Sequence, residues 1–293
     1  MGARSIQIRN MTRTELGVLV QWADQEGWNT GLHDADIFWA TDPDAFIAAE
    51  LNGKMIGGGS IVNYAGVFGF MGFFIIHSQF RGRSIGRQLW TARRDRLIAR
   101  LQAPARIEMD GVFNMQSFYA KGGFQFLHRD LRFQGTAPTS PRVPENIPTT
   151  CDVVDLSTIA FEEINQYDHG IFMAPRLNFL RAWISQPACH ALGAVCNGKL
   201  VGYAVARACR TAHKIAPLFA NDPATASVLF QSLLALLPNQ QVQIDVPEPN
   251  QAGLQMVKDQ GFTQVFGCAR MRFGPPLPRP LHNIFGVTTF ELG

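Results

Sequence analysis

Runs of apolar, β-prone residues broken by an Asn-Gly pair occur twice along the chain. Asn52-Gly53-Lys54-Met55-Ile56-Gly57 follows the apolar stretch Phe46 to Leu51, and Asn197-Gly198-Lys199-Leu200-Val201-Gly202 follows Ala191 to Cys196. Asn and Gly both tolerate the positive φ of a type I′ turn, so each copy predicts a β-hairpin. The copies stay in step further on. Ile107-Glu108-Met109-Asp110 pairs with Val242-Gln243-Ile244-Asp245, Gly123-Phe124 with Gly261-Phe262, and Phe126 through Arg132-Phe133 with Phe266 through Arg272-Phe273. Landmarks repeated in the same order indicate an internal duplication.

In the first copy the periodicity predicts a helix over 13–25, a loop, a short helix, and strands over 46–51, 55–64 and 68–77. A helix over 84–101, a strand over 105–112, a helix over 115–121 and a strand over 125–133 follow. Early hairpins and later strand-helix alternation define an α/β (α+β) mixed sheet. Gly135 to Thr150 carries Pro138, Pro141, Pro144 and Pro148 among polar residues, the composition of a stiff linker. The expected division is residues 1–135, a Pro-rich linker over 136–150, and a second unit over 151–275. The tail over 276–293 opens with prolines and turns β-prone from Ile284 to Phe290, a pattern that suits a strand on one of the two sheets. The triple glycine Gly57-Gly58-Gly59 lacks the lysine spacing of a phosphate loop and instead predicts a bulge or a close backbone approach.

The 293 residues are 46% apolar, which supports a sizeable core, and 27 glycines with 17 prolines exclude a low-complexity chain. The longest apolar run, Phe68 to Ile76, is too short to span a bilayer, and the N-terminus lacks a signal-peptide pattern, so a cytoplasmic protein is expected. Five cysteines, all in the second half, show neither metal-ligand spacing nor a disulfide framework, and no metal is expected. A net charge of +3 does not point to nucleic acid. The basic charge is local: Arg81, Arg83, Arg87, Arg93, Arg94, Arg96, Arg100 and Arg106 cluster together.

That cluster begins where an apolar strand runs through His77-Ser78-Gln79-Phe80 into Arg81-Gly82-Arg83-Ser84-Ile85-Gly86, after which helical periodicity starts. The first amides of a helix have no intrahelical partner and carry partial positive charge, and small residues let a ligand come close. Such a turn suits a phosphate or diphosphate.

Together with Tyr119-Ala120-Lys121-Gly122-Gly123-Phe124, this loop resembles the GNAT superfamily of acyl-CoA-dependent N-acetyltransferases. The resemblance covers about residues 5 to 135. Arg81 to Gly86 is similar to the family's Q/R-x-x-G-x-G/A diphosphate loop, and Tyr119 to Phe124 to its Y-x-K-x-G-F helix end. With Gly27-Trp28-Asn29, Asp110-Gly111-Val112 and the closing Phe290-Glu291-Leu292-Gly293, the whole chain is similar to tandem members. Two departures stand out: Ser84 replaces a preferred glycine, where serine is a good N-cap, and Asn114 sits five residues before Tyr119 rather than seven.

The resemblance implies acetyl-CoA in a V between the strand ending at His77 and the strand over 105–112. Ile75 and Ile76 would hold the pantetheine and acetyl groups. Arg81, Gly82, Arg83, Ser84, Ile85, Gly86 and Arg87 would hold the diphosphate, with Asn114 nearby. Tyr119 would protonate the leaving thiolate while an amine attacks directly. Asp110 leads the candidates for general base and acceptor contact, followed by Glu108 and His77; Trp28 and Asn29 are acceptor-side candidates in the loop after the first helix.

The second copy lacks glycine and arginine at the loop position and has Asp222-Pro223 there, an N-cap and first-turn pair that repels a diphosphate. Val257 stands in place of the tyrosine. That copy is expected to complete the acceptor pocket, the alternatives being packing against the first copy or dimerising. The function expected is acetyl transfer to a small-molecule amine by a monomer or homodimer, the alternative being a non-catalytic CoA-binding sensor or scaffold.

Overall fold

The computed structural model describes residues 6–139 and 151–293. The first half runs β1 (Gln7–Asn10), α1 (Arg13–Gln25), α2 (Asp34–Thr41), β2 (Phe46–Leu51), β3 (Lys54–Tyr64), β4 (Phe68–Ile76), α3 (Ile85–Ala99), β5 (Ile107–Val112), α4 (Gln116–Lys121) and β6 (Gln125–Thr136). The second runs β7 (Cys151–Asp155), α5 (Phe161–Phe172), α6 (Leu177–Ile184), β8 (Cys189–Cys196), β9 (Lys199–Ala208), β10 (His213–Ala220), α7 (Pro223–Ala235), β11 (Gln241–Pro247), α8 (Gln251–Asp259), β12 (Thr263–Phe273) and β13 (Ile284–Gly286). Most of the proline-rich linker lies outside the described residues. No helix among those described is long and apolar enough to cross a membrane.

Local chemistry explains the elements. Thr12 and Glu15 close a capping box at the start of α1, whose Leu16, Leu19, Val20 and Ala23 form the buried stripe. Both Asn-Gly turns have positive φ at both residues (53° and 75°; 51° and 73°), as the hairpins require. Asp222 caps α7 by accepting from the Thr225 amide at 2.9 Å. Each copy's last helix closes alike: the Phe124 amide donates to the Tyr119 carbonyl, and the Phe262 amide to the Val257 carbonyl. Strand β1 escaped the sequence pattern because four residues are too few to show a period.

The strands form one mixed sheet in the order β1, β2, β3, β4, β5, β12, β6, β11, β10, β9, β8, β7, with β13 against β10. β6, the last strand of the first copy, does not join β5. It lies between β12 and β11, and β12 takes the place beside β5. A cut at residue 135 thus separates the copies along the chain, whereas in space each half is completed by a strand of the other.

Two buried ion pairs rivet the exchange. Arg270 on β12 grips Asp110 on β5 with both arms (2.9 and 2.8 Å), and Arg132 on β6 grips Asp245 on β11 (2.7 and 2.8 Å). In space Arg132 therefore matches Arg270, two residues short of its match in the sequence repeat. Register shifts near Phe266 and Met271 mark where β12 and β6 fall out of step.

The disulfide expectation is corrected. Cys151 and Cys196 stand directly opposite on β7 and β8, Cα atoms 4.1 Å apart, and are bonded. Strand register brings the pair together across 45 residues, and no local spacing announces it.

Candidate active site

β4 pairs with β5 only at Gly69–Ile107 and Phe70–Glu108 before the two strands splay. At the splay, Phe73 adopts φ 52° beside a register shift between β3 and β4, a bulge that leaves the end of β4 free to line a cleft. The chain then turns through Gly82 (φ +77°), where an added side chain would meet open space, and through Ser84 (φ 60°) into α3. Ser84 makes no side-chain cap bond, contrary to the N-cap role expected of it, because the left-handed conformation points its hydroxyl elsewhere. The amides of Ile85, Gly86 and Arg87 are thus left free at the head of a fifteen-residue helix.

A cavity of about 860 Å³ occupies the splay. Ile75, Ile76, Arg81, Gly82, Gly86 and Arg87 line one wall, and Asn114 and Tyr119 the other. Glu26 and Trp28 stand over it, and β12 of the second half adds Gln264 through Gly267. Arg81 is braced by the Ile76 carbonyl (2.8 Å) and by Glu26. Arg83 stacks on Phe80, 5.6 Å from its centroid, and Ile85 is buried beneath the helix, so these two and Ser84 shape the turn rather than its lining. Most of the other arginines are structural: Arg96 holds the Ile8 carbonyl, and Arg100 holds Asp42 with two 2.8 Å bonds.

A smaller cavity of about 50 Å³ continues behind Tyr119 and Trp28, which line both. The Tyr119 ring lies against Gly111 and Trp90 (centroids 4.9 Å), and its hydroxyl makes no hydrogen bond among the described residues. Burial raises its pKa, opposed by the nearby Arg93 charge, so the phenol stays protonated across the neutral range.

The structure separates the remaining candidates. Asp110 lines the small cavity, but Arg270 occupies both its oxygens and its pKa is raised, chiefly by burial and secondarily by Asp130, so it does not suit a base. Glu108 is buried between Arg270 and Arg279. His77 packs its ring 5.3 Å from Trp22 and lines neither cavity. Asn29 is also corrected. Its amide bonds the Ala212 carbonyl, Gln243 and the Thr211 amide, clamping the halves together away from both cavities.

Two wall residues were missed by sequence reasoning. Arg93 counted only as one of the clustered arginines, yet it is fully buried, seated where Gly59 has no side chain. It donates to the Ser60 and Gly72 carbonyls (2.6 and 2.5 Å), and burial pushes its pKa down to about 9, which leaves it charged at neutral pH. The other is Glu291 of the tail, whose backbone lies against Gly72, where an added methyl would collide with its carbonyl oxygen. Only the apolar pattern around it hinted that the tail is interior.

The second half repeats the splay: β10 and β11 pair at His213–Val242, Lys214–Gln243 and Ile215–Ile244 and then part. There β13 fills the gap, pairing with β10 at Leu218 and Phe219 while the Val287 amide donates to the Asp245 carbonyl. The equivalent cleft is closed by the chain's own tail.

A mixed sheet whose central strands splay twice in one chain, the first time beside a glycine turn and a free helix start, defines a tandem acyltransferase fold. Models of the family match accordingly, one described as "Acetyltransferase (GNAT) family" over residues 12–124 and one as "Acetyltransferase (GNAT) domain" over residues 164–286. The chain belongs to the GNAT acetyltransferase family. Among individual proteins it is 26% identical to the holothin acyltransferase of Pseudoalteromonas sp. (strain SANK 73390), over 95% of this chain and 92% of that one. In fold it is similar to a putative acetyltransferase from Pyrococcus horikoshii (TM-score 0.81, 20% identity, 100% of this chain and 98% of that one). It is also similar to a tandem GNAT protein from the clavulanic acid biosynthesis pathway (TM-score 0.67, 13% identity, 93% of this chain and all of the other).

Proposed function

We propose that this protein transfers an acetyl group from acetyl-CoA to an amine of a small molecule, with Tyr119 as general acid. The observation that carries it is the open cleft of the first half, with Gly82 and three helix amides that have no partner among the described residues at one end, and the Tyr119 hydroxyl, likewise unpaired among them, at the other. Gly82 and the amides of Ile85, Gly86 and Arg87 would take the diphosphate, and Ile75 and Ile76 the pantetheine arm. The acyltransferase relative supports a small-molecule acceptor.

Direct attack forms the C–N bond as the C–S bond breaks, and the sulfur leaves with the electron pair. A phenol held protonated and facing the cleft can donate to that thiolate.

Calorimetry with acetyl-CoA, followed by thiol release across a panel of primary amines, tests this. Saturable one-site binding is expected, and acetyl-pantetheine, which lacks the diphosphate, should bind at least about a hundredfold more weakly. That factor corresponds to two lost charge-assisted hydrogen bonds at about 1.5 kcal/mol each. No heat with acetyl-CoA sinks the proposal, and binding without turnover of any amine leaves a CoA-binding sensor or scaffold.

A further inference from the structure

Five arginines are buried among the described residues, and four of them hold a carboxylate: Arg132 on Asp245, Arg176 on Asp168, Arg207 on Asp34 and Arg270 on Asp110, at 2.7, 2.5, 3.1 and 2.8 Å. Arg93 is the fifth, and it holds none among them. Its Nη2 donates to the Ser60 and Gly72 carbonyls, while Nε and Nη1 are buried with no partner among the described residues. A buried cation without a counter-ion is costly, and unused donors on it add to the cost. Such a group persists where a ligand brings the missing charge and acceptors.

Arg93 lines the small cavity behind Tyr119 and takes no part in the large one. Its guanidinium is held in place by carbonyls of both β3 and β4, with the Phe74 ring 5.5 Å from Cζ and a seat at Gly59 that any side chain would fill. Donors fixed in this way are preorganised, which is what a recognition group needs. The acids at the same cavity do not serve Arg93. Arg270 takes both Asp110 oxygens, and the Glu291 charge is felt by Arg132, Arg207 and Lys214 rather than by Arg93. Met71, Met109, Val112, Phe266 and Phe290 make much of the remaining wall apolar, and in such surroundings the attraction between the guanidinium and an entering anion is strong.

Space and charge select the anion. About 50 Å³ admits a carboxylate on a short arm and nothing bulky. A phosphate group carries close to two charges and would leave one uncompensated against apolar walls, whereas a carboxylate carries one. Trp28, Tyr119 and Phe266 line both cavities, so an arm that reaches Arg93 passes Tyr119 on its way from the cleft. We infer that Arg93 anchors a carboxylate subsite, and that one of the two reacting partners carries a carboxylate on a short arm that ends there. The carboxylate belongs either to a dicarboxylic acyl group on CoA or to an amino acid as acceptor. The subsite rests on the proposed acyl transfer, which sets the thioester beside Tyr119, and adds to it the group that the substrate must bear.

The test has two arms on the native chain. Calorimetry compares malonyl-CoA and succinyl-CoA with butyryl-CoA, whose acyl chain is of similar length without the charge, and thiol release from acetyl-CoA compares amino acids with their carboxamides. In one arm the acid should be preferred by at least about tenfold, as one buried charge-assisted hydrogen bond gives, and that arm names the source. Arg93→Met should cost the acid at least about tenfold more than its neutral counterpart. Gly59→Ala keeps every charge but presses a methyl against the guanidinium, so it should narrow the same preference, and it decides the matter where Arg93→Met does not fold. No preference for the acid in either arm, or an equal penalty on acid and neutral member in both variants, overturns the subsite and leaves Arg93 a clamp between β3 and β4 with water on its spare donors. Acetyl transfer that ignores carboxylates on both partners keeps the proposed function and sinks the subsite. A preference for succinyl-CoA without transfer from acetyl-CoA does the reverse, and no heat with any CoA thioester sinks both.

Discussion

Replacing Tyr119 by Phe removes one oxygen and little else. The ring keeps its contacts with Trp90, Phe118 (5.7 Å) and Phe74 (6.5 Å), and the lost hydroxyl leaves no protein group unpaired. Stability should therefore change by less than about 1 kcal/mol. A positioned acid is worth roughly 10² to 10⁴ in rate, equivalent to about 2.7 to 5.5 kcal/mol of barrier. The loss should fall on kcat, because the thiolate needs its proton only as the bond breaks, and acetyl-CoA affinity should stay within about twofold. The raised pKa adds a second signature. The protonated form is the active one and burial extends it upward in pH, so native kcat should show no alkaline fall due to Tyr119 below pH 10. Steady-state thiol release at saturating acetyl-CoA, with calorimetry and a thermal melt on the same preparations, separates these effects. A kcat change below threefold in a folded, CoA-binding Tyr119→Phe protein removes the hydroxyl from the chemistry.

Three further outcomes follow from the same geometry. Arg132→Met leaves Asp245 buried and unpaired and should cost about 3 to 5 kcal/mol in urea unfolding, whereas Arg132→Met with Asp245→Leu should recover most of it; equal losses would mean that the pair does not couple the halves. Ser84→Gly relieves a left-handed serine that makes no cap bond, so it should hold or raise stability by up to about 1 kcal/mol with acetyl-CoA affinity retained, and a lower melting temperature would contradict the strain. Glu15 is held at a pKa of about 2, first by its bond to Arg9, so its contribution is present above the unfolded value of 4.5 and fades as pH falls from 4.5 toward 2. For this partly exposed pair Glu15→Gln should cost roughly 1 kcal/mol at pH 7 and almost nothing at pH 2.

How much of this was legible in the sequence depended on whether the cause was local. The helix over 13–25 and the strand over 46–51 match in full, since a capping box, a stripe and an Asn-Gly turn act within a few residues. The glycine turn and helix start at one end of the cleft were legible for the same reason: strand, Gly82 and helix start are contiguous. Partners distant in sequence were not. Arg93 looked like any other arginine of the basic cluster because nothing nearby reveals that Gly59, thirty-odd residues earlier, has left it a seat. Asp110 looked like a base because Arg270 comes from the far copy, and Cys151 found Cys196 only through the register of β7 on β8.

The tail explains why only one copy kept an open cleft. Both halves part their central strands after a short parallel pairing, so both have the geometry for a cleft. Filling the second splay with β13 satisfies strand edges that would otherwise be left without partners. It also fixes the chain's direction. From Gly286 the backbone passes the Asp245 carbonyl and reaches Gly72, where Glu291 packs its own backbone at the edge of the small cavity. Placing glycine and arginine around Asp222 would then open no second cleft, since the slot itself is occupied by Ile284 to Gly286.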